Sequence, residues 1–258
     1  SHATVWVSTP TWPNHPAILK HLGLRIRSYR YFDEVSCSVD LDAMREDIDK
    51  AESGDVLLLH GCCHNPTGAN LDVEDWVEIS NICLKKNITP LIDIAYQGFG
   101  DGLDKDALGL RAMASKISNM MIAVSCSKNF GVYRDRVGAA LVVAEKRSVA
   151  KLAEDNLKSL NRLTFSFPPD HGAAVVELIL ADLDLKQKWS AELEGMRKGM
   201  LDLRQELSKS LRLTTKSDRF DFVSTHRGMF SRLGLSEKNV EVLREEFGIY
   251  MISDSRIN

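Results

Sequence analysis

The segment "DVLLLHG", residues 55–61, is a short run of apolar residues that ends in a polar turn. This pattern is typical of a strand that is buried on both faces of a sheet. Similar runs occur in "ITPLIDIAYQGFG" (88–100), "NMMIAVSCS" (119–127) and "VGAALVVAE" (137–145). The four runs predict neighbouring strands at the centre of one sheet.

A helix is predicted between the first two runs, in "LDVEDWVEISNICLKKN" (71–87). Val73, Trp76, Val77 and Cys83 fall on one helical face, and acidic residues come early while lysines come late. Strands that alternate with amphipathic helices indicate βαβ units. The expected fold class is therefore α/β, with a mostly parallel sheet between helices.

The second half of the sequence predicts more helix. The segment "DLDLKQKWSAELEGMRKGMLDLRQELSKSL" (182–211) has the pattern of one long amphipathic helix, and such a helix commonly links two domains. We therefore expect a large domain over residues 1–190 and part of a smaller α+β domain over residues 191–258.

After the long helix, the sequence predicts three short elements. Residues 220–235 have a strand–turn pattern and residues 249–258 a strand pattern. Residues 236–248 predict a helix, with Ser236 as its N-cap.

Composition excludes several classes of function. The net charge of −3 provides no basic surface for nucleic acid. No apolar run approaches the roughly 20 residues that cross a bilayer, and no signal peptide is recognisable, so no membrane partner is expected. The five cysteines lack metal-ligand spacing, and adjacent Cys62 and Cys63 would point to opposite faces of an extended segment. We therefore interpret the cysteines as reduced thiols of a cytoplasmic protein, and we expect no metal site.

Polar residues follow three of the predicted strands, at His60–Asn65, Asp93–Tyr96 and Ser125–Lys128. Parallel sheets place their chemistry at the carboxyl ends of strands. Three polar clusters at equivalent positions therefore predict a single site at that edge of the sheet.

The third cluster contains a candidate reactive amine, Lys128. A lone lysine at a strand end is more often a solvated surface residue, and an amine becomes nucleophilic only when burial or nearby positive charge deprotonates part of it. Arg136 offers such a charge, and with Ser125 and Ser127 it could hold a phosphate.

A carboxylate at the end of an apolar strand, as at Asp93, is costly unless it is paired. It could face a protonated ring nitrogen, but it could equally cap a helix or bind a magnesium ion. A lysine, a phosphate cradle and an acid facing a pyridinium are together what pyridoxal phosphate requires.

Seven segments carry a resemblance to a known family. In order, they resemble the class I aminotransferases of the aspartate and aromatic type, which are pyridoxal-phosphate enzymes of fold type I. The segments are "TWPNH" (11–15), "HGCCHNPTG" (60–68), "DIAYQGF" (93–99), "SCSKNFGVYRDRVG" (125–138), "FPPDHGA" (167–173), "RGMFS" (227–231) and "SRIN" (255–258).

The resemblance implies a catalytic role for three residues. Lys128 would form the internal aldimine with pyridoxal 5'-phosphate and carry the proton between Cα and C4′. Asp93 would keep the pyridinium nitrogen protonated. Tyr96, together with Asn65, would hydrogen-bond the phenolic oxygen.

The resemblance also implies further cofactor contacts. Trp12 would stack on the ring, although the residue alone reads as an ordinary core tryptophan. His15 and His60 would support Asp93, although a lone histidine is more often a satisfied core residue. The phosphate would be bound by Ser125, Ser127 and Arg136.

The resemblance implies that two arginines bind the substrate. Arg256 resembles the family's clamp on the α-carboxylate, in a site that Trp12 and Asn65 also line. Arg162 lies where the family keeps an arginine that reaches the neighbouring subunit, but by position alone it is a solvated residue on a helix. Departures from the family pattern at Phe167 and Ser255 leave the choice between dicarboxylic and aromatic substrates open.

The implied activity is ping-pong transamination, through pyridoxamine phosphate, between aspartate or an aromatic amino acid and 2-oxoglutarate. A homodimer with shared active sites is implied as well. The alternatives are a preference for aromatic amino acids, or an inactive fragment that only dimerises. A nucleotide-binding domain is disfavoured because no glycine-rich fingerprint follows a strand. Since the family's N-terminal portion, with a phosphate-anchoring turn, has no counterpart here, we expect a chain truncated at both ends.

Overall fold

A computed structural model describes residues 3–258, so the starting residue Ser1 lies outside the described part. Its strands are β1 (Thr4–Thr9), β2 (Arg25–Arg30), β3 (Phe32–Asp33), β4 (Ser38–Val39), β5 (Val56–His60), β6 (Thr89–Ile94), β7 (Met120–Ser125), β8 (Gly138–Val143), β9 (Ser231–Arg232) and β10 (Arg256–Ile257). Its helices are α1 (Asn14–His21), α2 (Leu41–Ile48), α3 (Val73–Lys86), α4 (Leu108–Lys116), α5 (Arg147–Phe165), α6 (His171–Ala181), α7 (Leu183–Thr215), α8 (Phe222–Thr225) and α9 (Glu237–Phe247).

The central sheet has six strands in the order β2-β1-β5-β6-β7-β8. All neighbours are parallel except β7 and β8, which pair antiparallel. The predicted α/β class with a mostly parallel sheet is confirmed, and the four apolar runs correspond to β5–β8. The two remaining strand pairs, β3–β4 and β9–β10, are short and antiparallel.

Both faces of the sheet are buried at its centre. The edge strand β8 is mostly exposed, unlike the buried strand predicted for residues 137–145. On one face Trp6, Leu57 and Leu59 join the main core, to which α2, α3 and α4 contribute. On the other face Val7 and Leu58 pack with Leu19 of α1 and others. Each fully buried aliphatic side chain contributes roughly 1.5–3 kcal/mol relative to exposure. The continuous apolar run in β5 is therefore explained by burial on both sides.

Helix α3 begins with a reciprocal cap, in which Asp72 accepts from the Asp75 amide while the Asp75 side chain accepts from the Asp72 amide. Its buried stripe includes Trp76 and Cys83, as predicted. Val73 differs from the prediction and is exposed, because it lies in the first turn, ahead of that stripe.

Helix α7 is 33 residues long and confirms the long predicted helix. The expected domain division at residue 190 falls inside it and stays a prediction. Within residues 3–258, no helix combines the length and the apolar composition needed to span a bilayer.

The elements after α7 differ in part from the predicted ones. Ser236 caps α9 by accepting from the Asn239 amide, as predicted. Of the strands expected in 220–235 and 249–258, only two residues each form strand, β9 and β10, which pair with each other. The start of segment 220–235 forms helix α8 instead. The reason is tertiary: the carbonyls of Val223 and Phe230 accept hydrogen bonds from the Arg204 side chain of α7.

The close packing of α4 on α3 predicts that Gly109→Ala destabilises the fold. A Cβ at Gly109 would lie 2.3 Å from the Trp76 indole. Overpacking of this kind costs about 1–3 kcal/mol, which urea unfolding measures. The control is Gly195→Ala in α7, where the added methyl meets nothing within 4 Å and should stabilise the helix by roughly 0.5–1 kcal/mol. Equal stability of the two variants would contradict this packing.

Candidate active site

A cavity of about 270 Å³ lies at the carboxyl ends of β5, β6 and β7. Nine predicted residues line it: Trp12, His60, Asn65, Asp93, Tyr96, Ser125, Ser127, Lys128 and Arg136. The structure thus brings together residues that are up to 124 positions apart in the chain. Cys62, Ala95 and Tyr133 also line the cavity and were not predicted.

Asp93 lies near the end of β6, in register with His60 of β5. Its Oδ2 atom is 2.8 Å from Nε2 of His15. The Thr11 hydroxyl then links the two histidines, at 3.0 Å from Nδ1 of His15 and 3.2 Å from Nε2 of His60. A connected polar network therefore stands behind the carboxylate, in which His15 contacts Asp93 directly and His60 only through Thr11.

The electrostatics keep Asp93 ionised. Burial raises the pKa of the carboxyl group, but the hydrogen bond to His15 and the nearby charge of Lys128 outweigh it and lower the pKa overall. His60 is half-buried beside His15, and its removal from water lowers its pKa to about 3. At neutral pH the cavity therefore presents an anionic carboxylate, which would favour a cation such as a protonated ring nitrogen.

Lys128 lies in the turn after β7, and its Nζ atom is 4.8 Å from the centroid of the Tyr96 ring. Burial lowers the pKa of this amine and the charge of Arg136 lowers it further, while Asp93 acts in the opposite direction. The lysine is therefore part-buried with a depressed pKa, unlike a solvated surface lysine.

The turn that carries Lys128 is held by its neighbours. The Asn129 side-chain amide donates to the Gln97 carbonyl at 3.2 Å, and the Trp189 indole of α7 donates to the Asn129 carbonyl at 2.7 Å. The Phe130 ring stacks on Trp189 with centroids 4.3 Å apart. Lys128 thus sits on a segment fixed to both the sheet and the long helix.

Three groups suited to a phosphate occupy the same side of the cavity. The Ser127 amide donates to the Ser125 hydroxyl at 3.2 Å, and the Cys126 amide donates to the Val137 carbonyl at 3.0 Å. The second contact joins the segment before β8 to the end of β7, which brings Arg136 back beside the serines. Two hydroxyls and a guanidinium therefore line one wall.

A chain of side-chain hydrogen bonds connects Tyr96, Asn65 and Arg256. Asn65 donates to the Tyr96 hydroxyl at 3.4 Å, and Arg256 donates from Nη1 to the Asn65 Oδ1 at 3.2 Å. Burial raises the pKa of Tyr96 to about 12, although the Asn65 contact opposes the shift. The predicted Arg256 thus does not line the cavity itself but contacts Asn65, a residue that does. Its guanidinium lies 4.6 Å from the centroid of the Phe230 ring.

Arg162 is not part of this cavity. It is exposed on α5, where Nη1 donates to the Ser166 hydroxyl at 2.6 Å and the guanidinium lies 5.0 Å from the Phe167 ring centroid. The role that the resemblance gave it, in a neighbouring subunit's site, stays a prediction.

The cysteines are all free, and the extended segment considered for Cys62 and Cys63 does not form. Cys62 and Cys63 do not lie on an extended segment, since φ is 50° at Cys63. Both Sγ atoms and an oxygen of Asp106 lie within 4.8 Å of one another. The Asp106 carboxylate also accepts from backbone amides of the 98–101 turn, which ties this cluster to the loop that follows Tyr96.

Three residues that build the site were missed by sequence reasoning: Thr11, Tyr133 and Phe230. Each lies inside a motif that the sequence analysis quoted, so the position was marked but its role was not. Thr11 links two histidines, Tyr133 lines the cavity, and Phe230 supports Arg256. Only the three-dimensional contacts reveal these functions.

Comparisons with known proteins identify the family to which the chain belongs. The aromatic-amino-acid aminotransferase of Paracoccus denitrificans is 53% identical over 254 residues, covering 98% of this chain and 64% of that protein. The aspartate aminotransferase of Haemophilus influenzae is 44% identical over the same shares of both chains. The chain thus spans about 64% of the length of these relatives.

Solved structures show the same fold. An aromatic amino acid aminotransferase with 3-indolebutyric acid matches with a TM-score of 0.98 and 52% identity, over 100% of this chain and 65% of that one. The Burkholderia pseudomallei aromatic-amino-acid aminotransferase, covalently bound to pyridoxal phosphate, matches with a TM-score of 0.97 and 37% identity, over 99% and 64%. The family model "Aminotransferase class I and II" matches residues 1–258. The chain belongs to the class I and II aminotransferases, with the fold type I architecture of pyridoxal-phosphate enzymes.

Proposed function

We propose that this protein is a pyridoxal-phosphate-dependent aminotransferase that exchanges an amino group between aspartate or an aromatic amino acid and 2-oxoglutarate. One observation carries the proposal: a lysine with a lowered pKa, an ionised aspartate and a phosphate-suited wall line the same cavity. The family and the names of the relatives support it. The activity is proposed for the whole protein.

The donor set of the cavity fits the cofactor. Ser125, Ser127 and Arg136 would bind the phosphate, and Asp93 would pair with the ring nitrogen. Asn65 and Tyr96 would bind the phenolic oxygen, and Trp12 would cover the ring. When bound, pyridoxal phosphate supplies an aldehyde for covalent attachment and a ring that accepts the electrons released at the substrate's Cα.

The chain's own residues would then bind the substrate and move the protons. Arg256 would pair with the α-carboxylate, a bidentate contact that a lysine cannot make. The Lys128 amine would take the proton from the substrate's Cα and deliver it to C4′ of the cofactor. Asp93, ionised and backed by His15, would hold the proton on the ring nitrogen.

Preference for an aromatic over an acidic substrate is a second proposal. The relative at 53% identity carries the aromatic name, and the one at 44% the aspartate name. Arg162 would bind a side-chain carboxylate across a subunit interface. Steady-state turnover of phenylalanine and of aspartate separates the two preferences.

We further propose a cytoplasmic homodimer with shared active sites. Helix α5 has no buried residue, and it exposes Leu152, Leu160 and Leu163. Exposed apolar patches of this kind mark contact surfaces. Sedimentation of the full gene product would show a dimer. A monomer with full activity would contradict active sites shared between two subunits. A dimer without activity would instead favour a chain that only dimerises.

Lys128→Ala should abolish transamination and leave the fold intact, because the variant has no amine to attach the cofactor or carry the proton. Loss of general acid–base catalysis alone costs at least about a hundredfold in rate. Activity with aspartate and phenylalanine is measured in the full gene product. The matched control is Lys85→Ala, an exposed lysine at the end of α3, which should keep its rate. Near-normal turnover by Lys128→Ala would refute the mechanism.

Asp93→Ala should weaken cofactor binding and sharply lower the rate, because the ring nitrogen would lose its anionic partner. His15→Ala should have a smaller effect in the same direction, since it removes only one hydrogen bond to that anion. Cofactor affinity and turnover are measured for both variants. A full rate in Asp93→Ala would show that the aspartate has another role.

The Lys128 pKa predicts a specific pH dependence in the cofactor-free protein. Only the neutral amine is acylated, so labelling by acetic anhydride rises as pH passes through the pKa. Since burial lowers this pKa, the midpoint should lie below the ordinary lysine value of about 10.4. Mass spectrometry of the labelled peptide gives the midpoint. A midpoint at or above the ordinary value would contradict the described environment.

A further inference from the structure

Arg204 is a buried arginine of α7 that does not line the cavity. Its guanidinium makes five hydrogen bonds, all to residues 223–231. Nη2 donates to the carbonyls of Gly228 and Phe230, each at 2.7 Å. Nη1 donates to the Ser231 hydroxyl at 2.5 Å and to the Val223 carbonyl at 3.3 Å. One side chain therefore fixes the course of this whole segment.

The segment supports Arg256 in two ways. The Phe230 ring lies under the Arg256 guanidinium at 4.6 Å, and its edge meets the Tyr96 ring at 6.0 Å. The next residue, Ser231, begins β9, which pairs with β10, the strand that carries Arg256. Arg204 therefore binds both the residue whose ring lies beneath Arg256 and the first residue of the strand that pairs with β10.

The other side of the segment packs on the turn that carries Asn65. The Arg227 amide donates to the Gly68 carbonyl at 2.9 Å, and a Cβ at Gly68 would lie 2.2 Å from the Phe230 carbonyl oxygen. Such an approach admits only glycine at position 68, whose φ is also +76°. The segment is therefore packed tightly on the turn that also carries Asn65, the side chain that Arg256 contacts.

The partners of Arg204 are chemically informative. All five hydrogen bonds go to four neutral oxygens, namely three carbonyls, of which that of Gly228 accepts twice, and one hydroxyl. A buried charge without a carboxylate is expensive, and well-packed apolar residues often serve stability better. A planar guanidinium can however bind several carbonyls in a fixed geometry, which neither an apolar side chain nor a lysine can do.

We propose that Arg204 is a positioning residue for the substrate carboxylate: it holds segment 223–231 so that Phe230 and β9 set the place of Arg256. The inference rests on the proposed function, because it takes Arg256 as the group that binds the α-carboxylate. Arg204 touches no reacting atom and acts through its neighbours. Its loss should weaken carboxylate binding and leave cofactor binding intact, since its hydrogen bonds reach no residue of the phosphate wall.

The test uses the full gene product loaded with pyridoxal phosphate and the probe phenylpropionate, which has one carboxylate and no amino group to react. Arg204→Lys keeps the charge and loses the fork. We expect its Kd for the probe, and its KM for phenylalanine, to rise about tenfold, the effect of roughly one lost hydrogen bond to a charged group. Cofactor affinity should stay within about twofold of the parent protein.

The control is Arg197→Met, also in α7, whose guanidinium pairs with Glu194 and contacts the Gly100 carbonyl. It should leave the Kd for phenylpropionate unchanged. If Arg204→Lys fails to fold, Phe230→Leu decides, because it removes the ring beneath Arg256 and should raise the Kd in the same way.

The outcomes separate this inference from the proposed function. A parent protein that binds neither cofactor nor probe refutes both. A parent protein that binds both, with an Arg204→Lys variant (or, if that variant does not fold, a Phe230→Leu variant) whose Kd stays within about twofold, refutes the inference alone. Parallel losses of cofactor and probe binding in the deciding variant would reduce Arg204 to a purely structural residue and also overturn it.

Discussion

A part-buried negative charge, that of Asp93 in the central strand β6, is the constraint on which the site depends. A carboxylate away from water is costly unless partners stabilise it. Nε2 of His15 donates to the carboxylate at 2.8 Å, Thr11 links that ring to His60, and the Lys128 charge adds attraction. Because His15 comes from α1 and Lys128 from the end of β7, satisfying this one charge brings three parts of the chain to one edge of the sheet.

Much of this arrangement was predictable from the sequence, because two simple rules apply. Continuous apolar runs predicted β5, β6 and β7, since strands buried on both faces need no polar alternation. The fourth run also forms a strand, β8, but at the exposed edge of the sheet. Polar clusters after those runs marked the cavity, since parallel strands share one carboxyl edge. Lys128 and Asp93 could therefore be placed together before any contact was known. The prediction of Arg256 depended on the resemblance to a family, because nothing local links "SRIN" to a cavity lined by residues between 12 and 136.

The rest was not predictable, for identifiable physical reasons. Residues 220–235 look strand-like, yet the hydrogen bonds that fix them come from Arg204 in another element. Local pattern cannot anticipate such a side chain. The same holds for the turn at Cys63, whose positive φ brings two thiols and Asp106 together. Helix α7 contacts both regions. Its Trp189 binds the turn that carries Lys128, and its Arg204 binds the segment that packs against Arg256.

The central claim is that Lys128 is the residue that attaches the cofactor. The most direct measurement is incubation of the folded protein with pyridoxal phosphate, reduction with borohydride, and peptide mapping by mass spectrometry. The account predicts one pyridoxyl group per chain, on Lys128 alone. A label on another lysine, or a folded full gene product that takes up no label, would contradict it.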